Sequence, residues 1–424
     1  MQAAFENVSL LQMQKGNGLM RVALIGCGYV ADAYMRSLRE HSELEIIGAT
    51  DRNADRARTF CAYHHIQHFL HLDDILSDHS IEMVINLTNP ESHFGINAAA
   101  MGAGKHVYSE KPIALCKEDV AQLSVIAEQN SVLFSSAPCH VISESIDVLV
   151  GAVDAGVIGK PVLAYVAYED DIIAPNKRPW EWRSESGAPW PAKNEFETGC
   201  TYQHAGYCLT ILHRLFGRAT AITAFSTTLV PDKGVSVGSM APDFSVSSIE
   251  YPNGLVATVT IGLVAPGDRS IVIVGTTGSL RITNIRNDTQ NVDITVNGGL
   301  RGLIRRVASR LDIDLGNFGR FVVYKRIKSK RFGLRKYRQK VDYLLGPVEL
   351  IKAISETRRS ILGPELGQHI AELSEVMQHP ERFGNRRVVL DQENSPVASC
   401  SMGAVTLPTS LCVSVGSKNG ALTC

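Results

Sequence analysis

Residues 21–31 read RVALIGCGYVA. Arg21–Ile25 is a short apolar run of strand character. It passes directly into Gly26-Cys27-Gly28-Tyr29-Val30-Ala31, a G-x-G-x-x-A turn ahead of a helical stretch. Each small residue has a reason to be there. Gly26 permits the tight turn, Gly28 lets a pyrophosphate approach the backbone, and Ala31 lets helix and strand pack closely. Phosphates then meet unpaired N–H groups at a helix start, so Tyr29 and Val30 join the expected cofactor contacts.

A second strand, Leu44–Thr50, ends at Asp51, 25 residues after Gly26. An acid there can bind ribose hydroxyls, which favours NAD. Arg52 follows at once and could instead meet a 2′-phosphate, so NADP stays open.

Working outward, strand and helix signals keep alternating. Helices are expected at 31–41, 54–63, 92–101 and 117–130, and strands at 83–87, 106–109 and 132–135. That rhythm predicts a parallel sheet with crossover helices. After Cys139 it changes to β-rich segments at 162–168, 219–228, 245–251, 255–263 and 270–275, joined by glycine-containing turns. The expectation is an α/β protein: an N-terminal Rossmann domain (20–138) and a C-terminal α/β domain (139–385) with an open, mostly antiparallel sheet. Residues 1–19 read as an extension and 386–424 as a tail, probed by no periodic pattern.

Composition bounds the function. The 424 residues are 45% hydrophobic and 20% charged, with a formal net charge of −1. A large core is affordable, and a protein that coats nucleic acid is excluded. No apolar run reaches the roughly 18 residues of a membrane span. Nine scattered cysteines without Cys-x-x-Cys argue against a disulfide framework or zinc ribbon, and a reducing cytoplasm is the expected location. The histidines at 64, 65, 68 and 71 lack a metal-site motif and read as a solvated surface. Residues 301–340 hold fourteen Lys/Arg against Asp312 and Asp314. This basic insertion reads either as a polyanion or anionic-membrane site or as a solvated surface segment.

Residues 84–115 read VINLTNPESHFGINAAAMGAGKHVYSEKPIAL. The N-P-x-S-H, G-K-H-V and E-K-P strings, at this distance from a dinucleotide turn, resemble the Gfo/Idh/MocA oxidoreductase family. The resemblance spans about residues 20–300 and resumes at 342–380. It implies hydride transfer between NAD(P) and a carbinol or carbonyl carbon of a sugar, cyclitol or related molecule. It also implies a homo-oligomer. Thr88, Asn89, Pro90, His93 and Glu110 are then cofactor contacts, and Lys111 lies beside both nicotinamide and substrate. A lysine there can hold or deprotonate the reacting hydroxyl.

The family usually carries D-x-G-x-H-x-x-D at a helix start in its second domain. The corresponding stretch is ETGCTYQHAGYCLT, 197–210. Two registers compete: one puts Thr201 in place of the family histidine, the other Cys208. His204 is expected as the second catalytic group because imidazole titrates near neutrality. Glu197 is expected to orient it or to bind a hydroxyl. All three tryptophans fall within 180–190. Trp182, Arg183 and Trp190, with Tyr202, are expected to meet a sugar or polyol, possibly phosphorylated or nucleotide-linked. Two other functions stay open on this scaffold: an NAD-dependent glycoside hydrolase and a catalytically silent nucleotide-binding regulator.

Overall fold

The computed structural model describes residues 19–173, 177–296, 310–311 and 341–390. The basic insertion, apart from Arg310 and Leu311, and the tail beyond Leu390 lie outside the described residues.

The first sheet is built from β1 (Met20–Ile25), β2 (Leu44–Thr50), β3 (Gln67–His68), β4 (Met83–Asn86), β5 (His106–Ser109) and β6 (Phe134–Ser136), in the order β3-β2-β1-β4-β5-β6. Every pairing is parallel. Its strands are buried on both faces: Val22, Ala23, Leu24, Met83, Val84 and Ile85 are fully enclosed. Both faces are covered by α1 (Ala31–Ser37), α2 (Ala54–His64), α3 (Leu72–Ser77), α4 (Pro90–Gly102) and α5 (Lys117–Gln129). Helix α2 shows why these segments start where they do. Asn53 caps it by accepting from the Arg56 N–H at 3.0 Å.

α6 (Glu144–Asp154) leads into the second sheet. Its strands are β7 (Pro161–Glu169), β8 (Ala221–Thr227), β9 (Phe244–Glu250), β10 (Val256–Gly262), β11 (Ile271–Gly275), β12 (Gly278–Ile282), β13 (Asp293–Val296) and β14 (Val388–Val389). Their order is β13-β12-β11-β7-β10-β9-β8-β14. Only β7 and β10 pair in parallel, so the sheet is mostly antiparallel, as the β-rich pattern implies. Strand β14 moves the end of this domain: residues 388–389, assigned to the tail from sequence, pair with Ala221 and Ile222, and Leu390 is buried.

One face of this sheet packs on α8 (Cys200–Phe216), preceded by α7 (Ala192–Thr198), and on α10 (Pro364–Gln378). Ala164, Val166, Tyr168, Val259, Ile261 and Ile273 point into that core. The other face carries Val272, Tyr165, Thr258, Ser248 and Thr223 in register across five strands. Tyr165 and Phe225 on it are 50% and 55% exposed.

The chain then returns to the first domain. α9 (Leu345–Ser355) lies against β5 and β6, where Gly346 is so close to the Tyr108 ring that any Cβ would collide with it. α10 packs against both α5 and α8. These returns lock the two domains around the carboxyl ends of β1, β4 and β5, where doubly wound sheets bind ligands.

Candidate active site

At the carboxyl end of β1 the turn behaves as its glycines require. Gly26 has φ +100°, and a Cβ there would lie 2.8 Å from the Leu87 carbonyl. A Cβ on Gly28 would meet nothing within 4 Å. That open space directly above the turn fits a dinucleotide's phosphates. Thr88, Asn89 and Pro90 follow β4 beside it, with the Thr88 hydroxyl donating to Asn86 Oδ1 at 2.7 Å.

Asp51 is held tightly. Its carboxylate accepts from the N–H groups of Cys27 and Asn53, both at 2.8 Å. Arg56 adds a two-pronged ion pair, Nε to Oδ2 at 3.0 Å and Nη2 to Oδ1 at 2.7 Å. Arg52, the residue marked from sequence, is exposed, so Arg56 is the cation that meets Asp51. An arginine one helical turn into α2 could have been flagged, because Asn53 caps that helix and brings Arg56 back over its start.

His93 needs correction as a cofactor contact. It is fully buried, with Nδ1 2.6 Å from the Pro112 carbonyl and Nε2 3.0 Å from the Thr88 carbonyl. It positions the 88–90 loop against the E-K-P segment. Glu110 is likewise internal: it accepts from the Tyr34 hydroxyl at 2.9 Å and from the Lys111 N–H at 3.0 Å.

Lys111 projects from this segment to α8. Its Nζ donates to the Gln203 carbonyl at 2.6 Å and to Gln203 Oε1 at 3.1 Å, and lies 5.5 Å from the centre of the Tyr207 ring. Gln203 and Tyr207 are one helical turn apart, so both face Lys111. This spacing matches the first acid and the histidine of D-x-G-x-H. Neither sequence register supplies the partner of Lys111: Thr201 and Cys208 are fully buried, and the lysine's hydrogen bonds go to Gln203. The register that meets Lys111 reads Gln203-x-Ala205-x-Tyr207-x-x-Thr210, and it was hidden because each of the motif's four residues is replaced.

His204 is in the cluster but not in the expected state. Its ring lies against Tyr168, tilted by 30° with centroids 4.7 Å apart, and Nε2 lies 3.4 Å from Asp170 Oδ2. Burial, opposed by Asp170, pushes its pKa down to about 3, so it is neutral near pH 7 and a poor base. Asp170 also accepts from Arg269 Nε at 2.8 Å. Tyr168 stacks on Tyr207 with centroids 4.9 Å apart. Behind Tyr207, His140 Nε2 lies 3.1 Å from its backbone carbonyl.

Glu197 is also corrected. Its Oε1 accepts from the Gly238 N–H at 2.6 Å and it lies near Lys193, fastening the 228–243 loop. The carboxylate that senses Lys111 is Glu195, two residues earlier. Burial pushes it up to about 7; Lys111 opposes the shift while Asp170 and Glu110 add to it. Sequence reading passed over Glu195 because nothing in its neighbours marks it.

The tryptophan segment folds on itself. Trp182 Nε1 donates to the Lys177 carbonyl at 3.1 Å, and its ring meets Trp190 edge-on at 5.7 Å. The exposed Arg183 donates to the Trp180 and Trp182 carbonyls. The segment is pinned to α1 by Ser186 Oγ on Asp32 at 2.8 Å and Glu185 on Arg36 at 2.8 Å. These are loop-packing roles, not the substrate contacts expected. Tyr202 lines a narrow cavity with Lys111, Pro112 and Gly206, on the α10 side of α8.

Of the histidines at 64–71, His64 pairs with Asp32 at 2.6 Å. The six described cysteines are free thiols. Among the described residues no helix is long and apolar enough to cross a membrane.

Comparison with known proteins agrees with this geometry. The model of the oxidoreductase family with an NAD-binding Rossmann fold, GFO_IDH_MocA, matches residues 20–137, and that of the GFO/IDH/MocA C-terminal domain matches 149–281. An uncharacterised oxidoreductase of Synechocystis is 24% identical over 276 residues, covering 62% of this chain and 71% of the relative. The aldose-aldose oxidoreductase of Caulobacter crescentus superposes with a TM-score of 0.68 at 17% identity, covering 88% of this chain and all of that one. A levoglucosan dehydrogenase structure with NADH and levoglucosan also gives 0.68, at 20% identity over 88% of this chain and all of that one. The chain belongs to the Gfo/Idh/MocA family of NAD(P)-dependent oxidoreductases, dehydrogenases acting on CH–OH groups.

Proposed function

We propose that the chain interconverts a carbinol and a carbonyl carbon of a sugar, cyclitol or sugar derivative, with Lys111 and Tyr207 managing the proton. The observation that carries this reading is the seat of Lys111: its ammonium is fixed by Gln203 and faces Tyr207. Relatives named as a D-xylose dehydrogenase and inositol 2-dehydrogenases support the substrate class.

Bound NAD(P) supplies or takes up the hydride. Gly26, Gly28 and the 88–90 loop would hold its phosphate side, and Asp51 its ribose. Lys111 has three N–H groups; Gln203 takes two, and the third is left for the reacting oxygen. The Tyr207 hydroxyl has no hydrogen-bond partner among the described residues. Burial pushes its pKa well above the ordinary phenol value, with Arg286 opposing, so it stays protonated near pH 7. In the reducing direction the substrate carbonyl oxygen accepts from Lys111 Nζ and takes its proton from Tyr207 Oη. The resulting phenolate is stabilised by the cations over its ring, and water reprotonates it. Oxidation retraces the path. His204, neutral and paired with Asp170, positions Tyr168 beneath Tyr207.

The exposed face of the second sheet, which carries Tyr165 and Phe225, is read as the surface where a second copy packs. The test of function is NAD(P)H change at 340 nm over sugars and cyclitols. Lys111→Ala should lower kcat/KM about 10²–10⁴-fold with NADH affinity unchanged; unaltered turnover in that variant would refute the reading.

A further inference from the structure

Two cations share the Tyr207 ring. Lys111 Nζ is 5.5 Å and Arg286 Cζ 4.9 Å from its centre. Arg286 is half-buried, and its side chain bonds only to neutral groups: Nη1 donates to the Tyr168 hydroxyl at 3.1 Å and Nη2 to the Tyr343 hydroxyl at 2.7 Å. Among the described residues no carboxylate forms an ion pair with it. The acids around the cluster are committed elsewhere. Asp170 is paired with Arg269 and His204 and feels Arg286 only through space, and Glu110 bonds to Tyr34 and the Lys111 backbone.

A guanidinium has five N–H donors in a planar fork. Two are used here, and none of the Arg286 nitrogens is a sealed, unpartnered atom. Nε, which donates to no described residue, therefore keeps access to solvent. Partly buried charge normally finds a counter-charge, and arginine's fork suits carboxylate and phosphate oxygens. The counter-charge absent among the described residues is a feature the substrate can supply.

We propose that Arg286 receives an anionic substituent, a carboxylate or a phosphate, carried by the sugar whose hydroxyl lies at Lys111 and Tyr207. This rests on the reading of Lys111 and Tyr207 given above and narrows its substrate class to acidic sugars. The two tyrosine bonds fix the guanidinium plane, so the anion is bound by a preset fork and the reacting carbon is held at a constant distance from Lys111. Arg269, neutralised by Asp170, is set apart from this role.

The test uses the protein loaded with NADH. D-glucose, D-glucuronate, D-glucose 6-phosphate and inorganic phosphate are titrated against wild type, Arg286→Gln and Arg286→Lys by calorimetry. NADH affinity and melting temperature are recorded for each. The expected result is that a charged sugar binds wild type at least about 10-fold tighter than glucose. Arg286→Gln should erase that advantage while leaving NADH and glucose affinity within about 2-fold, and Arg286→Lys should restore part of it. Which charged sugar gains tells carboxylate from phosphate. Equal binding of glucose and both charged sugars, no binding of either charged sugar, or an advantage that persists in Arg286→Gln overturns the inference. If Arg286→Gln does not fold, the wild-type comparison and Arg286→Lys decide. Loss of the Lys111 effect on turnover would instead refute the underlying reading, whatever the anion result.

Discussion

Arg56 closes on Asp51 with both arms of its guanidinium, at 3.0 and 2.7 Å. With the Cys27 and Asn53 N–H groups also donating, each carboxylate oxygen already accepts two bonds. A ribose diol that binds Asp51 must displace Arg56, which swings out as a cation next to the 2′ position. Arg56→Ala is therefore expected to tighten NAD(H) by a few-fold, the scale of a partly exposed ion pair, and to weaken NADP(H). Asp51→Ala should weaken NAD(H) about 10-fold or more through lost charge-assisted bonds. Fluorescence titrations of both cofactors check both directions.

Gly26 and Gly28 separate folding from cofactor binding. Gly26→Ala puts a Cβ against the Leu87 carbonyl at a φ of +100° and should cost about 1–3 kcal/mol of stability, read by denaturant unfolding. Gly28→Ala meets no protein atom, so its melting temperature should match wild type while NAD(H) affinity falls at least about 10-fold. A destabilised Gly28→Ala with intact affinity would contradict the phosphate cradle.

Buried titrating groups set the acid response. Burial holds His204 and His140 at about 3 and His106 and His213 at about 4, below their unfolded values near 6.5. Each stabilises nothing extra above pH 6.5 and loses stability as pH falls toward its folded value. Glu169 and Glu195, both raised to about 7, act oppositely: the folded state gains as pH falls from 7 to about 4.5. Four histidines outweigh two acids, so net stability should fall between pH 6.5 and 4.5. Replacing Glu169 and Glu195 by Gln should steepen that fall in chemical denaturation.

Most of the first domain was legible because its signals are local. Alternating strand and helix patterns and the G-x-G-x-x-A turn are set by backbone geometry, and the Leu44–Thr50 and His106–Ser109 strands coincide with those read from sequence. The E-K-P lysine was legible as a resemblance. Its partners were not, because Gln203 and Tyr207 are defined by facing Lys111 across 92 and 96 residues of chain, and Tyr207 replaces the expected histidine. His204 drew attention as the nearest imidazole, but burial deprives it of the titration that made it attractive. Strand β14 was missed because a two-residue edge strand has no periodicity to read.

Substituting Tyr165 by Arg on the open sheet face should shift the protein to monomer in sedimentation analysis, with the melting temperature of the isolated subunit retained, since that side chain is half exposed in the chain itself. An unchanged assembly would remove this face from the interface.

The pairing of Lys111 with Tyr207 is tested most directly by kcat for Tyr207→Phe on a turned-over sugar, measured beside NADH affinity. The account predicts a loss of about 10²-fold or more in kcat with NADH affinity unchanged. Turnover near wild type in Tyr207→Phe would contradict it and return the proton to another group.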